Sequence, residues 1–568
     1  ERAQQVADRH DGVPLLIEEL TTAVVESGML AEDGDQYVAT GQVTALAIPT
    51  SLQESLLARL DRLAPTSEVV QIAAALGRQF SHELISAATA MPAQQLDDAL
   101  AQLMNAELIF RHGTPPEAEY TFKHALVQDT AYGTLLRGRR QQIHARIAAT
   151  LQDRFPDIVA TQPAVLARHC TEAGLVDRAV VYWFKAGQQA LARSASTEAA
   201  ALLRKGLDEL GGLPDGPGRR QQELDLQLAL GLALMAMKGY SAPEVGETLS
   251  RARALAEKVD RPEYLWPVFL GQSSFHRVRG EHHLALDLAQ QLERIGEARN
   301  DVAAQLVGRF ANGRTRLFLG EFVDARDILE RCYGLVDPAY RGRGSSSDPY
   351  AMMLAYLAWT LAIMGYVDRA RSRLNEALSE ARRLGHVNTL ADVLISANAI
   401  DSILGSPELQ AHADEMLALS VDRGLPLHLG WATAYRGAAL VARGEREEGL
   451  AQITQAMTRV RDTGAVRGCP DLPMMLAEAN NSMGKTGEGL NCLAQAAEII
   501  EATDERYREA EMHRLRGDDL DATGDREEAE RSYHQALTIA RQQGAKLFEL
   551  RTSISLAAVW GTEQRHGE

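Results

Sequence analysis

Cysteine is scarce. The four in 568 residues, Cys170, Cys332, Cys469 and Cys492, are too few and too scattered for a disulfide framework and place the chain in the reducing cytosol. Long apolar runs are missing too. Met352–Met364 and Leu226–Met237 fall short of the roughly 20 residues a bilayer requires, so a membrane partner is excluded at this level. No charged, apolar and small-residue succession marks a secretory leader. Basic charge is in deficit: 59 Lys and Arg against 77 Asp and Glu give a net charge of −18, which argues against a nucleic-acid partner. The chain has no His-Glu-x-x-His, no Cys-x-x-Cys and no strained nucleophile turn, hence no catalytic and no metal residues to name. His282-His283 near Asp287, and His412 near Asp414, read as exposed helix residues. Gly484-Lys485-Thr486 ends like a phosphate loop, but position 479 is Ala where the motif needs Gly, so it reads as a turn.

What the sequence has in abundance is a repeat. A Gly followed by small or apolar residues at +5, +9 and +12 recurs at Gly174, Gly280, Gly320, Gly365, Gly444, Gly484 and Gly524. Several steps are 40 residues, and Gly385, Gly424, Gly464 and Gly544 mark a second turn in each unit. Offsets differing by four and three fall on one helical face, and the Gly supplies a positive φ to end a helix. Ala529, Tyr533 and Ala536 show the small–large–small stripe against which a neighbouring helix can pack closely. A unit of helix, turn and helix cannot bury such a face alone, so the prediction is an α-solenoid over 151–560 with about ten hairpins. Two units depart from the pattern: that at Gly239 carries an extra residue, and that at Gly405 has lost its small residues. Gly211–Gly218 and Arg341–Asp348 read as exposed loops.

The first 150 residues differ in kind. Ile48-Pro49-Thr50 opens a helix through Leu63, and helical periodicity returns at Glu68–Leu76, Ser81–Ala90 and Leu96–Met104. Glu107–Arg111 and Tyr120–Phe122 then read as two strands around Gly113–Pro116, before a helix over His124–Leu136. Three helices and a hairpin are the order of a winged-helix domain, assigned here to 48–150. Its third helix holds Asp97 and Asp98 and no Lys or Arg, which fits packing against protein better than entry into a major groove. The run Arg137-Gly138-Arg139-Arg140 reads as a solvated helix end complementing the dipole. The fold class is thus mainly all-α, a repeat solenoid preceded by a small α+β domain.

The repeat resembles the long-helix variant of the tetratricopeptide repeat, over roughly Gln162–Trp560. Asp11-Gly12-Val13-Pro14 followed by Leu15–Leu20 is similar to the Gly-x-Pro segment closing the ATPase core of AAA-related signal-transduction ATPases. Ile48–Gln53, Ala58–Leu63 and Tyr120–Asp129 look like the segments beyond that core in those proteins, and Gly239–Val245 is a further marker within the array. Together they resemble large bacterial proteins that join a class III adenylate/guanylate cyclase, an ATPase core and a tetratricopeptide array.

That resemblance makes 1–47 the remnant of an ATPase module. It implies nucleotide-binding roles for Gly12 and Pro14, with Pro14 lining the adenine pocket, and for His124 as phosphate sensor, although Ala125 stands where the family has Asp. ATP and Mg would serve domains upstream, and no cofactor is expected in the chain itself. Implied partners are the upstream ATPase core and a protein or peptide in the solenoid groove. Glu1 opens in helical register with no initiator Met, so the expectation is a piece of a longer chain that ends in a polar tail, 561–568. A fragment of a large ATP-binding transcription regulator and a stand-alone scaffold are the alternative readings.

Overall fold

The computed structural model describes residues 30–33, 36–39, 56–57, 59–60, 66–89, 91–259, 264–333, 347–465 and 470–566. Gly12, Pro14 and most of the helix expected over 48–63 lie outside them. The chain divides into two compact units, Glu1–Trp183 and Phe184–Glu568.

In unit 1, β1 (Leu30–Asp33) pairs antiparallel with β2 (Gln36–Ala39). Next come α1 (Ser67–Leu76), β3 (Gln79–Ser81), α2 (His82–Ala88), α3 (Ala93–Asn105), β4 (Ile109–His112) and β5 (Glu119–Phe122). Three helices and a hairpin thus occur in the expected order, but a third strand joins them: the antiparallel sheet runs β3-β5-β4. In β5, Tyr120 and Phe122 turn inward and Thr121 lies between them, the period-2 pattern of a half-buried strand. Phe80 of β3 stacks on Tyr120 with ring centres 5.6 Å apart. That contact holds a strand only three residues long, too short to show a period of its own.

Unit 1 continues through α4 (Ala125–Gly133), α5 (Arg137–Arg154), α6 (Pro156–Thr161) and α7 (Pro163–Ala173). The basic run does not end a helix; it opens α5. Cations there oppose the helix dipole, and the surroundings compensate: Arg139 pairs with Glu68 at 2.7 Å, and Arg140 lies 4.5 Å over the Tyr132 ring. Helices α5 and α7 meet at two buried histidines, with His144 Nδ1 2.8 Å from His169 Nδ1. Tyr132 Oη lies 2.9 Å from His144 Nε2 and donates to Glu172. Burial drives both imidazoles down, His144 to about 4 and His169 to about 3. Helix α8 (Val176–Ala192) carries the chain into unit 2.

Unit 2 is helical. It begins with α9 (Ser196–Leu210), then α10 (Pro217–Lys238), α11 (Pro243–Val259), α12 (Leu265–Val278) and α13 (His282–Ala298). Next are α14 (Val302–Phe318), α15 (Phe322–Tyr333), α16 (Pro349–Ile363), α17 (Val367–Leu384), α18 (Val387–Leu404) and α19 (Leu409–Arg423). The last are α20 (Pro426–Ala442), α21 (Arg446–Asp462), α22 (Asp471–Ser482), α23 (Thr486–Thr503), α24 (Glu509–Thr523), α25 (Arg526–Gln543) and α26 (Lys546–His566). From α10 to α25 they pair as hairpins, and α26 closes the array.

The glycines of both series take positive φ, as at Gly524 with φ 87° and Gly544 with φ 71°. Behind each leading Gly the stripe is buried: Ala529, Tyr533 and Ala536 in α25, and Ala370, Leu374 and Ala377 in α17. Where the stripe is tightest, as between α20 and α21, a Cβ on Gly437 would meet the Gly449 carbonyl at 2.8 Å. The unit after Gly239 buries Val245, Leu249 and Ala252, one residue later than the others. The unit at Gly405 has not lost its stripe. It has moved one residue earlier, to Leu409, Ala413 and Met416, so its small residue sits in the middle slot.

One stretch expected to be exposed is described only at its end. Ser347 and Asp348 close the Arg341–Asp348 stretch and are buried. The Asp348 carboxylate accepts from Ala351 N at the start of α16, which is N-capping by a short acidic side chain.

The solenoid of unit 2 winds tightly enough for its successive turns to touch. Ser241 Oγ donates to Thr463 O at 2.8 Å, and His282 and His283 meet Glu505 and Asp504 at 3.3 and 2.9 Å. These pairs are 221 to 223 residues apart in sequence. Among the described residues one helix, Val387–Leu404, is long and apolar enough to cross a membrane by length and composition, and 61% of it is buried within the protein.

Candidate functional site

The first helix of each hairpin packs on both its partner and the first helix of the next, so its inward side faces the axis of the winding. Helix α16 shows the result. Every residue from Ala351 to Ile363 is buried, and a helix apolar all round is one enclosed on all sides. Where these helices cannot fill the interior, they leave a cavity of about 120 Å³. Phe318, Tyr356, Trp359, Trp431, Tyr435 and Tyr507 form its aromatic wall. A smaller cavity of about 60 Å³ shares Arg277, Tyr240, Tyr356 and Asp392 with it and adds Arg314.

The wall is a connected cluster. Phe318 meets Tyr507 and Trp359 edge-on at 5.4 and 5.8 Å, and Tyr356 lies parallel to Trp359 at 6.2 Å. Arg277 stands over the Phe318 ring at 5.2 Å, a cation–π contact, and the His282 ring lies parallel to Phe318 at 6.0 Å.

Three carboxylates face this cavity, each held by protein. Asp392 lies 2.8 Å from His428 Nε2 and accepts from the Ser347 and Tyr240 hydroxyls. Burial alone would raise its carboxyl; hydrogen bonding and the charge of His428, with the Ser347 bond and Arg277, hold it below the ordinary value. Asp471 accepts from Tyr507 and from Arg508 at 2.8 Å. Glu505, against His282, is pushed upward by burial. In the second cavity burial and the neighbouring Arg277 bring Arg314 down to about 10, leaving it charged at neutral pH.

The residues singled out in the sequence fall elsewhere. His124 is the N-cap of α4, between β5 and that helix; its side chain makes no capping bond, and its Nε2 is buried without a partner. Gly484-Lys485-Thr486 is the turn between α22 and α23, with Gly484 at φ 75°. His282 is not exposed but 2% accessible. His412 Nδ1 lies 2.7 Å from Asp401, an ion-pair geometry rather than a ligand set. Among the described residues no group of His, Cys, Asp and Glu could hold a metal ion. The interior cavity was missed entirely. One signal for it was available: two of the chain's five tryptophans, Trp359 and Trp431, each have a Tyr three or four residues before or after them on a first helix.

No family model matches the chain. An uncharacterized protein of Rhizobium meliloti (strain 1021) is 25% identical over 565 residues, 96% of this chain and 53% of that protein. The chain therefore spans about half the length of the curated relative it matches. Among solved structures, a Rap protein complexed with competence and sporulation factor gives a TM-score of 0.49 at 12% identity, covering 64% of this chain and 98% of that one. Yeast Tom70 gives 0.31 at 11%, covering 74% and 97%. A signal transduction ATPase with numerous domains and a tetratricopeptide repeat sensor, from Pyrococcus horikoshii, gives 0.28 at 13%, covering 98% and 66%. Unit 2 is a tetratricopeptide-like α-solenoid by its own repeat of helix, positive-φ turn and buried stripe. The likenesses, each with a TM-score below 0.5, add nothing to that.

Proposed function

We propose that this chain is the sensing and regulatory arm of a longer signalling ATPase whose output domain is a nucleotide cyclase converting ATP to cAMP. The observation that carries the sensing role is the interior cavity, bordered by the contact of His282 with Glu505 across successive turns. An occupant there alters how the turns meet, and so the curvature of the array, as a shift between two packed states. The larger assignment rests on the resemblance of the Gly12–Pro14 segment and on a relative about twice as long as the chain. In this reading residues 48–150 are a winged helix that passes the shift to the upstream ATPase core. ATP and Mg belong to the upstream domains, with Gly12, Pro14 and His124 at the edge of the nucleotide. The site of action is the cytoplasm, and a protein or peptide occupies the groove. The test is cyclase output of the longer protein with and without residues 151–568. Output that changes on deletion and responds to a signal only in the intact protein supports the reading; identical output in both across all signals overturns it.

A further inference from the structure

The interior cavity is unbalanced in hydrogen-bonding capacity. Its acceptors are supplied: Asp392, Asp471 and Glu505 each have a donor within the protein. Its donors are not. Trp359 is 4% accessible, and its Nε1, which can only donate, has no partner. Arg277 Nε is buried and unpartnered, while the charge of its guanidinium acts on Asp392 and Glu505. In the adjoining smaller cavity Arg314, 6% accessible, gives one bond to Ser274 Oγ at 3.2 Å and leaves its Nε unpartnered. Arg277 and Trp359 gather at a single ring, since both contact Phe318. A buried donor without an acceptor costs about 1–3 kcal/mol, so a packed interior that served only stability would not place two at one ring.

An occupant that satisfies these groups brings acceptor oxygens and negative charge. The cavity of about 120 Å³ is close to the roughly 150 Å³ that holds benzene in an apolar protein interior, and its walls are flat rings. We propose that this cavity binds a small carboxylic acid with a planar apolar body, its carboxylate held by Arg277 and Trp359 Nε1 and its ring packed on Phe318 and Tyr356. The charge-assisted contact with Arg277 gives orientation and rejects the uncharged amide. The proposal deepens the sensing role above and rests on it only for the consequence of binding. The shared chemistry, a carboxylate beside a ring, can come from a free acid or from the C-terminal residue of a peptide.

Calorimetry on the whole chain decides it, with benzoate, phenylacetate and indole-3-acetate as probes and phenylacetamide as the uncharged control. At least one acid should bind, with phenylacetate about tenfold or more tighter than its amide. Arg277→Gln should weaken binding about tenfold or more, and Trp359→Phe, which removes the N–H donor together with the pyrrole ring of the indole, severalfold. No binding by any of the three acids at millimolar concentration overturns the proposal, as does equal binding of phenylacetate and its amide. Should Arg277→Gln fail to fold, Trp359→Phe decides: unchanged affinity overturns the assignment. Ala-Ala-Phe binding more tightly than phenylacetate, and losing that advantage on C-terminal amidation, supports a peptide source; acids binding while the peptide does not supports a free acid. Acids that bind while cyclase output stays silent leave this inference standing and overturn the sensing role. An output that answers a protein signal while no acid binds does the reverse.

Discussion

Each unit buries a histidine almost completely, and the two are handled in opposite ways. His144 in unit 1 faces His169, and burial drives both imidazoles well below their ordinary value although the charge of Glu172 pulls His144 the other way. His282 in unit 2 faces Glu505, whose own burial pushes its carboxyl up while the histidine pulls it back. The residue type is the same and the depth similar, at 2% accessibility for both. What differs is the partner, and the partner decides whether the site answers to acid or holds two turns of chain together.

The largest effect separating the two comes from removing one partner. Glu505→Leu strands His282 in the interior and releases a contact between turns, so urea unfolding should show a loss of about 3–5 kcal/mol. Replacing both His144 and His169 with Leu removes donor and acceptor together and should cost about 1 kcal/mol or less at pH 7. A loss from the double variant as large as that from Glu505→Leu would erase the distinction.

Acid sharpens it. Folded values of about 4 and 3 lie below the unfolded value, so the stability from keeping these histidines neutral is present above about pH 6.5 and is lost as pH falls toward 4. Between pH 6.5 and 5.5 the loss should be about 1 kcal/mol for each histidine. Hydrogen-exchange protection of α5 and α7, corrected for intrinsic rates, measures it, and the double Leu variant should lie flat over that range.

Base acts on unit 2 instead. Asp519, 1% accessible and with Oδ2 unpartnered, is raised to about 7 by burial and by Asp518. Its raised folded value makes its contribution present below about pH 4 and lost as pH rises to about 7, after which the loss is complete. Asp519→Asn should therefore gain on the wild type over that window, by about 4 kcal/mol between pH 4 and 8 in thermal unfolding. A constant difference from pH 4 to 8 would mean the carboxyl is charged throughout.

The smallest effect is next door to the first. His283 is 72% exposed and reaches Asp504 at 2.9 Å, and exposed pairs contribute little. His283→Ala should lower the unfolding free energy from urea titration by less than about 0.5 kcal/mol, although it joins the same two turns as His282.

Much of unit 2 was legible because its signals are local. A Gly in each turn and a stripe on the following helix need only the sequence of one hairpin. The second series of turns read as Gly385, Gly424, Gly464 and Gly544 has a gap where Asp504 stands, and Asp504 adopts φ 59°. Asn300 does the same with φ 53°. Short polar side chains tolerate the left-handed region, so the rule is the backbone conformation, with Gly its commonest carrier. The burial of His282 was not legible, since its partner lies 223 residues away. Strand β3 escaped because three residues held by pairing with β5 have no pattern to show. The interior site escaped for a further reason. Helix α16 is buried on all sides and has no polar face, so nothing marks which of its residues border empty space, and six other helices with the turns at Tyr240, Ala465 and Tyr507 must be in place before a cavity exists.

The contacts at a separation of 221 to 223 residues also bear on how such a chain can evolve. Arrays of helical hairpins ordinarily lengthen and shorten by whole units, because each unit touches only its neighbours. Here a duplicated or deleted hairpin between Ser241 and Thr463 would slide every later residue against the previous turn, setting His282 opposite something other than Glu505. Gain or loss of a whole hairpin is therefore expected only outside the stretch from Ser241 to Glu505.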